Sequence, residues 1–323
     1  VPQPDVTIVI TTRDRPGLVE GAVGSALAQT GPSVEVVVVD DASTDPVGLN
    51  TTDHRLRLLR TRRSRGVCAA RNHGLAAAHG HWVTFLDDDD RLLPGMLAVS
   101  LEAANASTLP PPVAVLSALE DVDAQGRTTR RLRPATLAKG RHYSLEDAQD
   151  HLPAHNTLVA PTEVVRAAGG WDEALRAWEH TDFFLRLNAI CSIQGEGRVT
   201  YRRVAHRSGR LSEDLPARIE SIQRTLAKHQ AAFAQHPRRH AHYWRAMALA
   251  RLRMGQWGPA VAASARGLLV SPSSAKGVGQ LLASLAGPWV WAQLDPRSQR
   301  WRRPPHGLVT GMPPARLPDH LEW

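Results

Sequence analysis

With 323 residues and 42% hydrophobic content, the chain is long enough for one large α/β domain and a smaller unit. Its two cysteines, Cys68 and Cys191, exclude a disulfide framework and a cysteine zinc site, fit a reducing compartment, and are expected to be small buried residues. The formal charge of +8 invites a nucleic-acid partner, yet the basic residues are spread along the chain without a nucleic-acid motif, so the charge is assigned to polyanions such as a nucleoside diphosphate or an anionic membrane surface.

In chain order, Val6 to Ile10 reads as a first strand, and a helix follows from Pro16 through Leu18, Val19, Val23, Ala26 and Leu27. This five-residue apolar run after Asp5 is no secretory signal, and no run of about eighteen apolar residues occurs, so a cytoplasmic protein in peripheral contact with the inner membrane face is expected. Val34 to Val39 is continuously apolar, as a parallel strand buried on both faces should be, and ends at Asp40-Asp41. A short strand around Leu56 to Leu59, a helix from Val67 to Ala78 and a strand from His81 to Leu86 come next, the last running into Asp87 to Asp90. This alternation predicts βαβ units and a mostly parallel sheet, with both acidic clusters at the carboxyl ends of strands, the ligand-binding edge of an open α/β sheet.

Between residues 110 and 160 the pattern offers an apolar run Val113 to Leu116 and a basic patch Arg127 to Arg133. A short helix from Thr162, a turn at Gly169-Gly170-Trp171-Asp172-Glu173, an amphipathic helix from Glu179 to Ala189 and a strand from Val199 to Val204 close this half. After Leu215 the sequence becomes helical, over Arg218 to Ala234, Ala241 to Met254 and Pro259 to Leu269, with Tyr243, Trp244 and Trp257 expected to be packing residues. The expected divisions are therefore 1–212, an α/β ligand-binding domain; 213–294, a helical region; and 295–323, a tail rich in proline and arginine.

The acidic clusters carry the chemistry. Four adjacent carboxylates repel one another without a counter-charge, and a hard divalent cation is one such charge. If the segment stays extended, Asp87 and Asp89 face one ion while Asp88 and Asp90 point away. Asp40 and Asp41 suit either a turn or the imide N–H of a uracil-type base, with Thr11 and Arg13 beside them for base or phosphate. No glycine-rich phosphate loop is present, which leaves more of the phosphate work to a metal.

Four motifs in order, Val6 to Pro16, Val38 to Asp45, Gly66 to Gly74 and Phe85 to Asp90, resemble the family-2 glycosyltransferases over about residues 5 to 210. The resemblance implies an A-type glycosyltransferase fold, a nucleoside-diphosphate sugar donor (a UDP-sugar first), a Mn2+ or Mg2+ ion, and inversion at the anomeric carbon. It implies that Asp40 or Asp41 reads the nucleoside, with Thr11, Arg13, Arg71, Asp87 and Asp88 also on the nucleotide, and that Asp89 holds the metal. A late histidine of the family's Tyr-Arg-x-His-like stretch is matched by His206, one residue displaced, as a second metal ligand, and Arg202 or Arg203 joins Arg71 as charge for the leaving group.

One departure affects the reaction itself. The family's Gly-Gly-aromatic-Asp-Glu turn leads to a helix opening with Glu-Asp, whose aspartate takes the acceptor's proton, whereas here the helix opens Glu179-His180-Thr181-Asp182. A helix N-terminus lowers a carboxylate pKa and keeps imidazole neutral, so Glu179, His180 and Asp182 are all candidate bases, with the carboxylates favoured and His180 their rival. The acceptor is a sugar, lipid-linked or on a small molecule, and the helical region serves to buttress the domain, bind acceptor or form a homodimer. Rivals are a binding protein with the fold but not the chemistry, and a nucleotidyltransferase, disfavoured for want of a triphosphate loop. His236, His240 and His242 are irregularly spaced and expected to be solvated.

Overall fold

The computed structural model describes residues 3–145, 155–204 and 214–287. By its contacts the chain divides into two compact units, Val1–Tyr243 and Trp244–Trp323.

In the first unit, β1 (Val6–Thr12), α1 (Pro16–Leu27), β2 (Val34–Asp40), β3 (Leu56–Arg60), α2 (Val67–Ala77) and β4 (Trp82–Asp87) form the expected βαβ half. Both β1 and β2 are buried along their whole length, which is why β-branched residues fill both faces. Alternate residues of β1 enter opposite cores: Ile8 and Ile10 pack with Val19 and Val23 of α1, and Val9 packs with Leu75 of α2 and Phe183. Gly74 lets α2 lie close to the sheet, since a Cβ there would run into Val9.

The unit continues through β5 (Arg91–Leu92), α3 (Met96–Ala106), β6 (Val113–Val122), β7 (Thr128–Leu132), a single 3-10 turn His155–Thr157, β8 (Val159–Pro161), α4 (Thr162–Ala167), α5 (Glu179–Ile190) and β9 (Ser192–Val204). The sheet order is β3-β2-β1-β4-β8-β6-β9-β5, with β7 on β6. Strands β1 to β4 pair in parallel, as do β6 and β9. The shorter ladders of β5, β7 and β8 are antiparallel, so most of the sheet is parallel.

Several helices depart from the expected layout, α3 having no counterpart in it. Helices α6 (Leu215–Lys228) and α7 (Gln230–Gln235) form where one helix was expected, broken at His229, and α8 (Pro237–Arg253) runs across the division between units. Asp214 caps α6 by accepting from the Ala217 N–H at 3.0 Å. By contacts, residues up to Tyr243 fall in the first unit, where Ser221 of α6 accepts from the Arg176 and Ala177 N–H groups and Tyr243 bonds Thr181 of α5. The second unit contains α9 (Trp257–Val270) and α10 (Ala275–Leu285), with Leu252 and Ala260 at its centre.

Both cysteines are buried, and burial pushes each thiol up to about 12, which bears out their reading as core residues. The three C-terminal histidines are half-buried rather than freely solvated: His236 bonds His142 at 3.3 Å, His240 lies against Phe233, and His242 stacks on Trp178. The expected 295–323 tail lies outside the described residues.

Candidate functional site

Strand register assembles the first part of the site. Thr11 on β1 is paired with Asp87 on β4, and Thr12 with Asp40 on β2, so the two acidic clusters flank the end of one strand. The strand stops at Asp87 and the chain turns, with the Asp90 N–H donating to the Asp87 carbonyl at 3.1 Å. Extended alternation therefore fails: carboxylate oxygens of Asp87, Asp89 and Asp90 lie within 4.8 Å of one another, while Asp88 turns inward to accept from Thr12 Oγ1 at 2.7 Å and Arg15 at 3.3 Å.

Asp90 is buried and accepts from Tyr201 Oη at 2.9 Å and the Val204 N–H at 3.3 Å. Burial, with the charges of Asp87 and Asp89, holds its carboxyl well above the usual range. Burial also raises Asp88, against Thr12 and Arg15. Such crowding favours a divalent cation, and three carboxylates supply the hard oxygen donors that Mg2+ or Mn2+ takes.

Arg71, on α2 and almost fully buried, joins this cluster to the opening of α5. It donates to Asp87 Oδ1 at 2.8 Å and to Glu179 Oε1 at 2.7 Å, with its guanidinium 4.5 Å from the Trp171 ring centre. Burial opposes its charge, but Asp87 and Glu179 outweigh it and raise its pKa. Its neighbour Asn72 holds the glycine turn by accepting from the Trp171 N–H and donating to the Trp171 carbonyl, both at 2.8 Å. Trp178 then takes a left-handed conformation, φ +58°, and aims the helix start at the cluster.

At that start, burial opposes the charge of Glu179, but His180 and Arg71 overcome it and bring the carboxyl down to about 2. The His180 ring stacks on His155 at 5.3 Å and meets Trp171 edge-on at 5.2 Å. Its Nε2 lies 3.5 Å from Glu179 Oε1, and its Nδ1 is buried without a hydrogen-bond partner. Burial lowers its pKa, only partly offset by Glu179. Arg71, Asp87, His155, Asn156, Trp171 and His180 line one small pocket with Phe85 and Leu158. Of these, His155, Asn156 and Trp171 were not singled out as site residues in the sequence. Asn156 donates to Asp87 Oδ2 at 3.2 Å.

Asp182 sits elsewhere. It is fully buried and bonded to Arg186 at 2.7 Å, Lys228 Nζ at 2.8 Å and His229 Nε2 at 2.8 Å, so its carboxylate ties α5 to α6. The partners outweigh burial and depress it strongly. Arg202 and Arg203 are likewise committed, to Glu120 and Asp121 at 2.7 Å each, while His206 lies outside the described residues.

On the nucleotide side, Asp40 holds its own loop by accepting from the Ser43 N–H at 2.8 Å. Asp41 gathers residues 61–66, accepting from Ser64 Oγ at 2.7 Å and the Gly66 N–H at 3.0 Å, and Arg13 donates to the same Ser64 Oγ at 2.8 Å. Thr11, Arg13, Asp40, Asp41, Asp87 and Asp88 thus share one edge of the sheet.

Residues 7–157, which span both acidic clusters, match the family described as Glycosyl transferase family 2. That match covers 151 of the chain's 323 residues. Similar to the chain over 139 residues, at 40% identity, is the succinoglycan biosynthesis protein ExoO of Rhizobium meliloti (strain 1021), with 42% of this chain and 39% of that protein covered. The GalNAc(5)-diNAcBac-PP-undecaprenol beta-1,3-glucosyltransferase of Campylobacter jejuni is 35% identical over 108 residues, 32% of this chain and 35% of that protein. The chain spans about two fifths of the length of these curated relatives. Among solved structures, S. aureus TarS 1-349 in complex with UDP-GlcNAc aligns at a TM-score of 0.56 over 92% of this chain and 83% of that one, at 16% identity. The chain therefore shares that structure's fold, the A-type fold expected from the sequence.

Proposed function

We propose that the chain transfers a sugar from a UDP-sugar to an acceptor hydroxyl, with inversion and with a divalent cation at Asp87, Asp89 and Asp90. The observation that carries this reading is Arg71, which bridges the carboxylate cluster and the α5 start through two hydrogen bonds and so puts a diphosphate-binding edge beside a candidate base. A UDP-sugar is supported by the fold shared with a protein crystallised with UDP-GlcNAc. A glycan carried on a lipid diphosphate is the acceptor favoured by the name of the Campylobacter relative.

Mn2+ or Mg2+, when bound, neutralises the departing diphosphate. The protein's own residues do the rest. Asp41 and Arg13 face the nucleoside, Thr11 and Asp88 shape the floor, and Arg71 holds Asp87 and Glu179 at a fixed separation. His180 is the base: its Nδ1 is buried, which leaves Nε2, beside Glu179, to receive the acceptor's proton. Glu179, its carboxylate committed to Arg71 at 2.7 Å, instead stabilises the imidazolium as it forms. Single displacement with one base gives inversion.

UDP release from a panel of UDP-sugars with Mn2+ tests this. Release lost on chelation, and reduced about 10- to 100-fold in Asp90→Asn, is expected. UDP binding without release from any donor, acceptor mixtures included, would identify a nucleotide-sugar-binding protein instead.

A further inference from the structure

Helix α10 is amphipathic with its faces reversed. Gln280 donates from Nε2 to the Arg245 carbonyl at 2.9 Å, and the buried Ser284 meets Ser264 Oγ at 3.1 Å, so these two polar side chains point into the second unit while Lys276 stays exposed. Outward stand Val278, Leu282 and Leu285, at positions i, i+4 and i+7 of one face and 42%, 61% and 62% exposed. Leu269, in the last turn of α9, is 79% exposed. Four of the six large exposed hydrophobics among the described residues thus fall between residues 269 and 285, which is a patch rather than the usual scatter.

Charge is just as one-sided. Residues 244–323 hold ten Lys and Arg against three Asp and Glu, so they carry seven of the chain's eight net positive charges. Between 244 and 287 there are five cations and no carboxylate. The sequence then runs on through Trp289, Trp291 and Leu294 to Arg297, Arg300, Trp301, Arg302 and Arg303. The basic residues are as evenly spread as the sequence suggested, and the imbalance comes from the scarcity of carboxylates after Tyr243.

A nucleic acid would answer the cations and leave the leucines in water. A second copy would cover the leucines but set two units of like charge against each other. An anionic bilayer answers both: leucines enter the acyl boundary, and the unit's excess of cations meets the headgroups. We infer that the outward face of α10, with Leu269, docks on an anionic lipid surface. Docking is read without any sugar transfer, so its outcome is separate from that of the UDP-release experiment.

The test is co-sedimentation of the full chain with vesicles of phosphatidylcholine alone or mixed with phosphatidylglycerol, at low and high salt. Two variants accompany it, Val278→Ser/Leu282→Ser/Leu285→Ser and Arg297→Gln/Arg300→Gln/Arg302→Gln/Arg303→Gln. Wild type is expected on the anionic vesicles alone, less at high salt. The serine variant, with unchanged circular dichroism, should bind about tenfold or more weakly, and the glutamine variant should lose most of its salt dependence. Absence of wild-type binding, or undiminished binding by the serine variant, overturns the inference. So does a wild-type dimer in light scattering that the serine variant converts to monomer while neither binds vesicles, which would make the face a contact between copies.

Discussion

Burial holds His180 below the ordinary 6.5, so its ring is neutral at pH 7 and able to accept a proton. A base works only when deprotonated, so kcat/KM is expected to fall as pH drops through this lowered pKa, with the acid limb below pH 6.5. His180→Ala should reduce kcat by about 10²- to 10⁴-fold, whereas His180→Asp should recover part of the rate and move the limb to lower pH. Undiminished rate in His180→Ala would hand the proton to another group. Arg71 answers to a different measurement. Its replacement by alanine leaves the buried Glu179 without its cation and should cost about 3–5 kcal/mol in chemical denaturation. Lysine should not restore wild-type stability, because one ammonium does not reproduce a planar fork reaching two carboxylates.

At the scale of elements, Asp182 joins α5 to α6, and its pKa sets the direction of an acid effect. The folded-state value is depressed, so its contribution is complete above the unfolded carboxylate value of about 3.9 and is lost as pH falls below it. Asp182→Asn is expected to destabilise by about 3 kcal/mol at pH 7 and to flatten the acid side of a Tm-against-pH curve, with kcat little changed at a permissive temperature. The βαβ half was legible because Val6 to Ile10 and Val34 to Val39 announce themselves by composition and end in carboxylates. Helix α3 was not, since it buries only Met96, Leu97 and Ser100 and leaves no stripe to read. Helix α10 was missed because its glycines and reversed faces break the pattern by which helices are found. In the site, Asp90, His155 and Asn156 gain their places from a turn, a stacked ring and a distant strand, contacts that no local spacing records.

For the whole molecule, the division at Tyr243 sets where the chain can be shortened. Truncation after residue 212 removes Lys228, His229 and Tyr243 from α5 and should lower Tm sharply, while truncation after Gly255 retains them and should not. Differential scanning fluorimetry of the two fragments checks this. Arg71 has a consequence at the same scale. It is shared by Asp87, at the end of a strand near the start of the chain, and Glu179, more than ninety residues later. A ligand that draws Asp87 away from the guanidinium leaves more of its charge to Glu179, so what happens at one carboxylate is felt at the other. Linkage makes the effect mutual: the factor by which a bound cation shifts proton affinity at the α5 start is the factor by which protonation there shifts cation affinity. If a cation binds at the proposed site, this one side chain thus ties its dissociation constant to the pH profile through a single shared factor.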